Sequence, residues 1–523
     1  MTLRVCIPTA GTGSRLGGLT KYVNKSLVGV AHRPILCHIV EQFAPDTEFV
    51  IALGHQGHLV REFVSLAYPD RTFVFCEVDP FEGPGSGLGL SLLACREHLQ
   101  QPFVFISCDT LVDEPIPPPD HDWMGVADAD DLAPYRTLEV ADGSVRAVCE
   151  KGIGRPGSHQ AYIGLAGIHD HRTFWQAMVD GGPQAVARGE AHGLAACLAA
   201  NPVRAHRFTW HDTGNPAALQ ATREKRRQPD GPTILEKANE AIWFVDGQAI
   251  KYSDDTRFIA HRVERARSLA GFVPEVTGAT AHMYRYPMAS GKVLGEVINR
   301  PLFAEFLAHC DRFWQPMPQA QVDSEAFVRR CMKFYRDKTL ERVEQFYRTC
   351  KRTDGTQPIN GVPMPTLASL LERVDWQALS HGVAGRWHGD FHFENILWDE
   401  ASRSFTFLDW RQDFGGDLGA GDIYYDFAKL LHGLIVNHKV IARELFTIDW
   451  SEHAIGYDMM RPQTLVECER LFGAWIESKG YDWRRVRLLT ALIYLNIAAL
   501  HHHPYTLFLY ALGKDMLMQS LES

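Results

Sequence analysis

The sequence predicts two unlike halves: an α/β unit with a mostly parallel sheet, followed by an α+β unit with a large helical portion. Three observations carry this. Short apolar runs alternate with helix-like stretches through the first half, the pattern of a parallel sheet whose ligands sit at the carboxyl ends of its strands. A charged segment with chain breakers, REKRRQPDGP from Arg223 to Pro232, interrupts that pattern. Beyond it the apolar spacing is mostly helical. The boundary is therefore expected between a domain at 1–227 and another at 232–523, and no internal repeat relates the two.

Each element follows from local pattern. Arg4 to Pro8 is a short apolar strand running into a Gly-rich loop, and Pro34 to Phe43 reads as a helix. Phe49 to Leu53, Phe73 to Cys76 and Phe103 to Ser107 are apolar runs of strand length, while Ser86 to Leu99 has helical spacing. In the second half, Ala241 to Tyr252 is β-like, and Glu325 to Cys350 and Asp422 to Leu445 are amphipathic helices.

Composition narrows the function classes. Of 523 residues, 46% are hydrophobic and 22% charged, which excludes a disordered, collagen-like or disulfide-scaffold chain. A net charge of -10 lacks the basic signature of a nucleic-acid binder. The 11 cysteines are scattered without a CxxC pair, as expected of reduced core residues. The first residues lack the pattern of a secretory signal. The longest apolar segment, Leu488 to Leu500, is shorter than the ~20 residues of a membrane span. A cytoplasmic protein without membrane insertion is expected, with room for a homo-oligomer.

The loop Thr9-Ala10-Gly11-Thr12-Gly13-Ser14-Arg15-Leu16 directly follows a strand. Glycines there let backbone N–H groups approach phosphate oxygens, although by themselves they fit a tight strand-to-helix turn equally well. The loop is neither a Walker A nor a clean GxGxxG. Lys25 adds a second cation near Arg15, Asp109 follows an apolar strand, and Asp212 lies in a turn far along the chain. Two aspartates from separate strand ends can hold one or two Mg²⁺ ions against a triphosphate.

With AGTGSRL, Lys25, Arg33-Pro34-Ile35, Asp109, Glu150-Lys151-Gly152 and WHDTGNP, residues 1 to 225 resemble the sugar-phosphate nucleotidyltransferases, a family that includes the phosphocholine cytidylyltransferases. The resemblance implies a Rossmann-like fold and roles for individual residues. Ala10, Gly11, Thr12, Gly13 and Ser14 would bind the nucleoside triphosphate and Arg15 the departing phosphates. Lys25 would guide the incoming phosphate, Asp109 and Asp212 bind Mg²⁺, and Lys151 contact the acceptor phosphate. Gly85 and Ser86, in GPGSGLG, would lie near base and ribose. The chain has Asn24-Lys25 where the family often has Pro-Lys, and Cys108-Asp109 where it often has Gly-Asp.

The sharpest motif is HGDFHFENIL from His388 to Leu397, followed by FTFLDW from Phe405 to Trp410. Asp390, Asn395 and Asp409 have the spacing by which kinases combine a hydroxyl-orienting base with an amide and a carboxylate for Mg²⁺. HGDxHxxN with a following LDW resembles the aminoglycoside phosphotransferase and choline kinase group, and the resemblance extends over about 232 to 520. It implies a protein-kinase-like fold, with Asp390 as base, Asn395 and Asp409 as metal ligands and Asp426 in a structural position. Lys251, ending a β-like run, would pair with ATP phosphates, with Glu264 orienting it. No clear Gly-rich lid precedes Lys251.

Other features have blander readings. His501-His502-His503 fits a helix C-terminus. The acidic run Asp128 to Asp131 is a candidate for a cationic acceptor but fits a solvated loop better. Trp387, Trp398 and Trp410 are candidates for an acceptor pocket, with most expected in the core.

In series, the halves predict a bifunctional enzyme. ATP phosphorylates a small hydroxyl compound, and CTP, or another nucleoside triphosphate, then caps the new phosphate with release of pyrophosphate. The expected acceptor is a sugar, with an amino alcohol such as choline as the alternative. The rivals are a fusion with one active domain and a nucleotide- or sugar-sensing protein.

Overall fold

The computed structural model describes residues 2–155, 157–227 and 237–522. The chain divides into two compact units. One comprises residues 1–259 with 277–287, and the other residues 260–276 with 288–523.

The first unit is built on a nine-stranded mixed sheet. Its order is Thr72–Glu77, Glu48–Leu53, Arg4–Pro8, Phe103–Ile106, His159–Ile168, Trp123–Ala127, Arg204–Arg207, Ser144–Cys149 and Thr137–Ala141. The first four strands are parallel, whereas His159–Ile168 runs antiparallel to both its neighbours Phe103–Ile106 and Trp123–Ala127. The parallel half reproduces the strands expected from the apolar runs, because those runs are buried on both faces and need no alternation. Val5, Cys6, Ile7, Val50, Ile51, Phe103, Val104 and Phe105 are all fully buried.

Parallel pairing of Arg4–Pro8 with Phe103–Ile106 makes both strands end on the same side. The glycine-rich loop and Asp109 therefore emerge next to each other, as ligand-binding loops do in open α/β sheets. A further two-stranded ladder pairs Trp210–Asp212 with Thr110–Val112. It sets Asp212 opposite Thr110, one residue past Asp109, and so joins two carboxylates distant in sequence.

A four-stranded sheet belongs to this unit as well, in the order Glu240–Val245, Gln248–Ser253, Met283–Pro287, Gly278–Ala279. The β-like stretch from Ala241 to Tyr252 is a hairpin turning at Asp246-Gly247. It packs on the helix Gly57–Ala67, whose Leu59, Val60, Phe63 and Val64 share its core. Trp243 meets Phe63 edge-on at 5.2 Å. Glu62 accepts hydrogen bonds from the His282 backbone N–H and ring, at 3.0 and 2.9 Å. The division into units thus falls after this hairpin, whereas the charged segment suggested a boundary at 227–232. The start of that segment is helical, within Pro216–Lys225, which Asn215 caps, and 228–236 lie outside the described residues.

The second unit combines a small sheet, Lys292–Val293 with Ile396–Asp399 and Ser404–Phe407, with a largely helical body. Helix Ile423–Ile435 packs against Trp483–Ala498, which packs in turn on Lys338–Cys350 and Tyr505–Glu522. The helix expected over 325 to 350 is present as Ser324–Met332 and Lys338–Cys350 joined by a π-helical turn, Lys333–Asp337. The helix expected over 422 to 445 breaks at Val436, and Asn437 caps a short second helix, His438–Ala442. Among the described residues no helix is long and apolar enough to cross a membrane. All eleven cysteines are free and mostly buried.

Candidate active sites

In the first unit the loop after Arg4–Pro8 passes into a 3₁₀ segment, Ser14–Thr20, through Gly13 in the left-handed region (φ 64). A Cβ there would lie 3.1 Å from that of Lys25, so glycine lets the loop fold down onto the lysine. Asn24, fully buried, donates to the Thr9 and His55 carbonyls at 2.9 and 2.6 Å and caps the turn Lys25–Leu27. That one amide aims Lys25, whose ammonium pairs with Asp109. Arg15, largely exposed, reaches the same carboxylate at 4.0 Å, and the Ser107 hydroxyl donates to its other oxygen at 2.6 Å. Burial alone would raise Asp109, but the Lys25 ammonium and the Ser107 hydroxyl hold it below the usual carboxylate range.

Asp212 accepts from the Gly214 N–H at 2.8 Å and from the Tyr135 hydroxyl at 3.0 Å. Thr213 locks the two aspartates together, its N–H and hydroxyl both donating to the Asp109 carbonyl, at 3.1 and 2.9 Å. Gly214 marks their meeting point. A Cβ on it would lie 3.0 Å from Asp109 Oδ2, 3.0 Å from Asp212 Oδ1 and 3.7 Å from an Arg15 nitrogen. Two carboxylates and an arginine thus converge beside the glycine-rich loop.

In the second unit the antiparallel hairpin pairs Ile396 with Phe407, so Asn395 and Asp409 flank the same end. The Leu408 N–H donates to the Asn395 carbonyl at 2.7 Å. Asp409 adopts the left-handed conformation (φ 58) and pairs with Arg262 at 2.6 Å. Asn395 donates to the Asp390 carbonyl at 2.9 Å and to its carboxylate at 3.2 Å. The three residues of the motif therefore form one cluster.

The loop carrying Asp390 is held from below. Buried Asp426 accepts the backbone N–H groups of His388 and Gly389, at 2.6 and 2.7 Å, and the Trp314 indole N–H at 3.1 Å. Burial pushes Asp426 up to about 6, against the pull of those bonds. Arg265, almost fully buried, donates to the Trp387 carbonyl at 2.5 Å and also to that of Arg411. Asp390 itself pairs with Lys429 at 2.7 Å and His392 at 3.3 Å. Burial opposes ionisation there, but Lys429 and His392 hold Asp390 well below the usual range. Burial would likewise lower His392, yet Asp390 and Glu394 on either side raise it to about 9.

Parts of the chain match known families. Residues 5–116 match the MobA-like NTP transferase domain, and residues 300–462 match the phosphotransferase enzyme family. The chain joins a nucleotidyltransferase domain to a phosphotransferase domain. It is an enzyme with both kinds of group transfer, a bifunctional kinase and nucleotidyltransferase.

Solved structures similar to part of this chain include a protein described as a glucose-1-phosphate thymidylyltransferase from Bacillus anthracis, 19% identical, covering 45% of this chain and 98% of its own at a TM-score of 0.38. A CTP:phosphocholine cytidylyltransferase from Streptococcus pneumoniae is 15% identical over 43% of this chain and 99% of its own, at 0.38. A UTP-bound UGPase from Acinetobacter baumannii is 16% identical over 44% and 96%, at 0.37. Comparison with curated proteins gives no match.

The remaining expected site residues are placed as follows. In the nucleotidyltransferase domain Lys151 is exposed in the turn after Ser144–Cys149. Its neighbour Glu150 is engaged with Arg136 and Arg188, at 3.1 and 2.8 Å. Gly85 is exposed, and the Ser86 hydroxyl donates to the Gly83 carbonyl at 2.7 Å. Lys251 stands in the strand Gln248–Ser253 between Ile242 and Tyr284. Glu264, expected to orient Lys251, is exposed and pairs with Arg267 at 2.6 Å, while Arg262 and Arg265 of the same helix face the phosphotransferase loop. Trp387, Trp398 and Trp410 are all buried. Asp128, exposed, pairs with Arg207, as a solvated loop would.

Among the described residues no group of three or more His, Cys, Asp or Glu is poised to hold a metal ion. Asp109 with Asp212, and Asp409 with the Asn395 amide, are oxygen donor sets of the sparse kind suited to Mg²⁺, which takes its other ligands from phosphates and water. Sequence reasoning did not find Asn24, Tyr135, Arg265 or Lys429. Asn24 had one available signal, a polar residue directly before the candidate Lys25. The others act through contacts distant in sequence.

Proposed function

We propose that the phosphotransferase domain moves the γ-phosphoryl group of ATP onto a hydroxyl of a small acceptor, and that the nucleotidyltransferase domain then joins that phosphate to a nucleotide. The observation that supports this most directly is the presence of two separate convergent clusters, Asp390-Asn395-Asp409 and Arg15-Lys25-Asp109-Asp212. In the first step the acceptor O–H gives its proton towards Asp390. The oxygen bonds to the γ-phosphorus, the bond to the bridging oxygen breaks, and ADP leaves. In the second, an oxygen of the acceptor phosphate bonds to the α-phosphorus of the nucleoside triphosphate and pyrophosphate leaves. Lys25 and Arg15 offset the charge that gathers on the phosphates, the main barrier to such a displacement. Asp409 with Asn395, and Asp109 with Asp212, would hold Mg²⁺, which supplies further charge neutralisation.

CTP is the favoured nucleotide, after the resemblance to cytidylyltransferases, and a sugar the favoured acceptor, with choline or a related amino alcohol as the alternative. Such products are precursors for surface polysaccharide or phospholipid assembly, and both nucleotides are cytoplasmic metabolites. The test is phosphorus NMR of the full chain with ATP, a panel of nucleoside triphosphates, sugars and amino alcohols. A new diphosphate diester resonance is expected. Asp390→Ala abolishes its appearance from the free acceptor but not from a supplied phosphate ester, and Asp109→Ala abolishes both. Turnover unaffected by either change would defeat the reading.

A further inference from the structure

Beside Asp390 lies a cavity of about 260 Å³. Its apolar wall comes from Leu489, Leu492, Ile493 and Ile497, and its polar lining joins four cations, Lys338, Arg342, Arg411 and Lys429, to the neutral Tyr335, Tyr425 and Asn496. Lys429 links the cavity to the reacting centre through its ion pair with Asp390 at 2.7 Å. Lys338 and Arg411 stand over the same ring, that of Phe334, at 4.7 and 4.9 Å.

Three of these cations have no carboxylate partner among the described residues. Among the described residues Arg342 bonds the neutral side chain of Gln345, at 2.7 Å. Lys338 and Arg411 form no ion pair among the described residues, although Arg336, two positions before Lys338, pairs with Asp337. Protein surfaces rarely gather like charges around one concavity without a counter-charge, because each cation disfavours its neighbours. The strain is legible at Lys338. Burial, followed by the nearby charges of Arg411, Lys429 and Arg342, brings it down to about 7 against the pull of Asp390, whose carboxylate is itself paired with Lys429.

The local fold sustains this arrangement. The π-helical turn Lys333–Asp337 inserts a wider turn ahead of Lys338–Cys350, and Phe334, Tyr335, Lys338 and Arg342 all line the cavity from it and the helix that follows. Such turns inside α-helices are frequent at functional sites.

Resting on the kinase reading of Asp390, we propose that the acceptor phosphorylated here carries an anionic group of its own, a carboxylate or a phosphate ester, held by Lys338, Arg342 and Arg411. The acceptor's carbon skeleton lies along the apolar wall and its hydroxyl reaches Asp390. An anion supplies the counter-charge that Lys338, Arg342 and Arg411 lack, whereas a choline-like or aminoglycoside-like cation meets three charges of its own sign beside the already paired Lys429. The site thereby selects against the amino-alcohol alternative and narrows the sugar reading to acidic sugars, hydroxy acids or their phosphates.

The experiment compares matched acceptors with the full chain and ATP: glucose, glucuronate, glucose 6-phosphate and glucosamine, then glycerol, glycerate, glycerol phosphate and ethanolamine. The carboxylate or phosphate members are expected to show kcat/KM about tenfold or more above their neutral counterparts, the worth of one well-placed charge contact. The two arms tell which anion is preferred. Lys338→Gln and Arg342→Gln should raise the KM of the anionic acceptor by about tenfold while the KM for ATP stays where it was. Better turnover of neutral or cationic members, or a rise in the KM for ATP instead, overturns the proposal and leaves the kinase intact. Absence of any Asp390-dependent phosphoryl transfer or ATP hydrolysis overturns the kinase reading itself. In that event calorimetric binding of glycerate and glycerol phosphate, lost in Lys338→Gln, still supports the anion site, and no binding sinks it.

Discussion

At Asp109 three groups compete for one carboxylate: the Lys25 ammonium, the Arg15 guanidinium and the Ser107 hydroxyl. The competition holds the aspartate below the usual carboxylate range despite its burial, which suits the proposed role of holding Mg²⁺ against phosphate. The absent side chain of Gly214 is as important as those present, since it leaves open the point where both carboxylates meet. Gly214→Ala would put a methyl group 3.0 Å from an oxygen of each. Nucleotidyl transfer should fall by about ten- to a hundredfold, consistent with small displacements in a preorganised site. Phosphoryl transfer should be unchanged, and steady-state assays of the two half-reactions read the difference.

Among the elements, helix Glu190–Ala200 carries an unusual charge. Glu190 is almost fully buried at its first turn, and burial pushes its carboxyl up to about 7, with only partial relief from Arg136. A carboxyl raised in the folded state costs stability when ionised. The cost is absent below the ordinary value near 4.5, grows as pH rises, and is complete above about 7. Glu190→Gln should therefore stabilise the protein at pH 8, by up to about 3 kcal/mol, and leave it nearly unchanged at pH 4.5. Denaturant unfolding at the two pH values measures this. Asp426 on helix Ile423–Ile435 shows the opposite use of a buried carboxyl: two backbone N–H groups and an indole satisfy it, and it fixes the phosphotransferase loop.

Across the whole molecule, the sheet following the charged segment belongs with the nucleotidyltransferase. Trp243 is buried against Phe63 and Tyr252, with ring centroids 5.2 and 5.9 Å away. Tyr252, the neighbour of Lys251, also donates a hydrogen bond to the Tyr22 carbonyl, in the stretch between Arg15 and Lys25. Trp243→Ala should destabilise this unit by about 3–5 kcal/mol, the usual cost of emptying a large aromatic site. Thermal inactivation of nucleotidyl transfer should consequently occur at a lower temperature, even though the residue lies past the nucleotidyltransferase sequence motifs. An unchanged inactivation profile would show that the shared core carries no stability.

The sequence by itself determined the two transferase classes and the parallel half of the sheet. Both are written locally: apolar runs make strands wherever they are buried on both faces, and Asp390, Asn395 and Asp409 lie close enough in the chain for a loop and one hairpin to assemble them. The boundary between units, the meeting of Asp109 with Asp212 and the cationic wall beside Asp390 came only from the tertiary structure. Each depends on contacts between distant segments: the burial of Trp243 on Phe63, the ladder of Trp210–Asp212 with Thr110–Val112, and the convergence of Lys338, Arg411 and Lys429 from separate stretches of chain. Charge and side-chain packing act through space, so residues unremarkable in order along the chain become a site only when folding removes the distance between them.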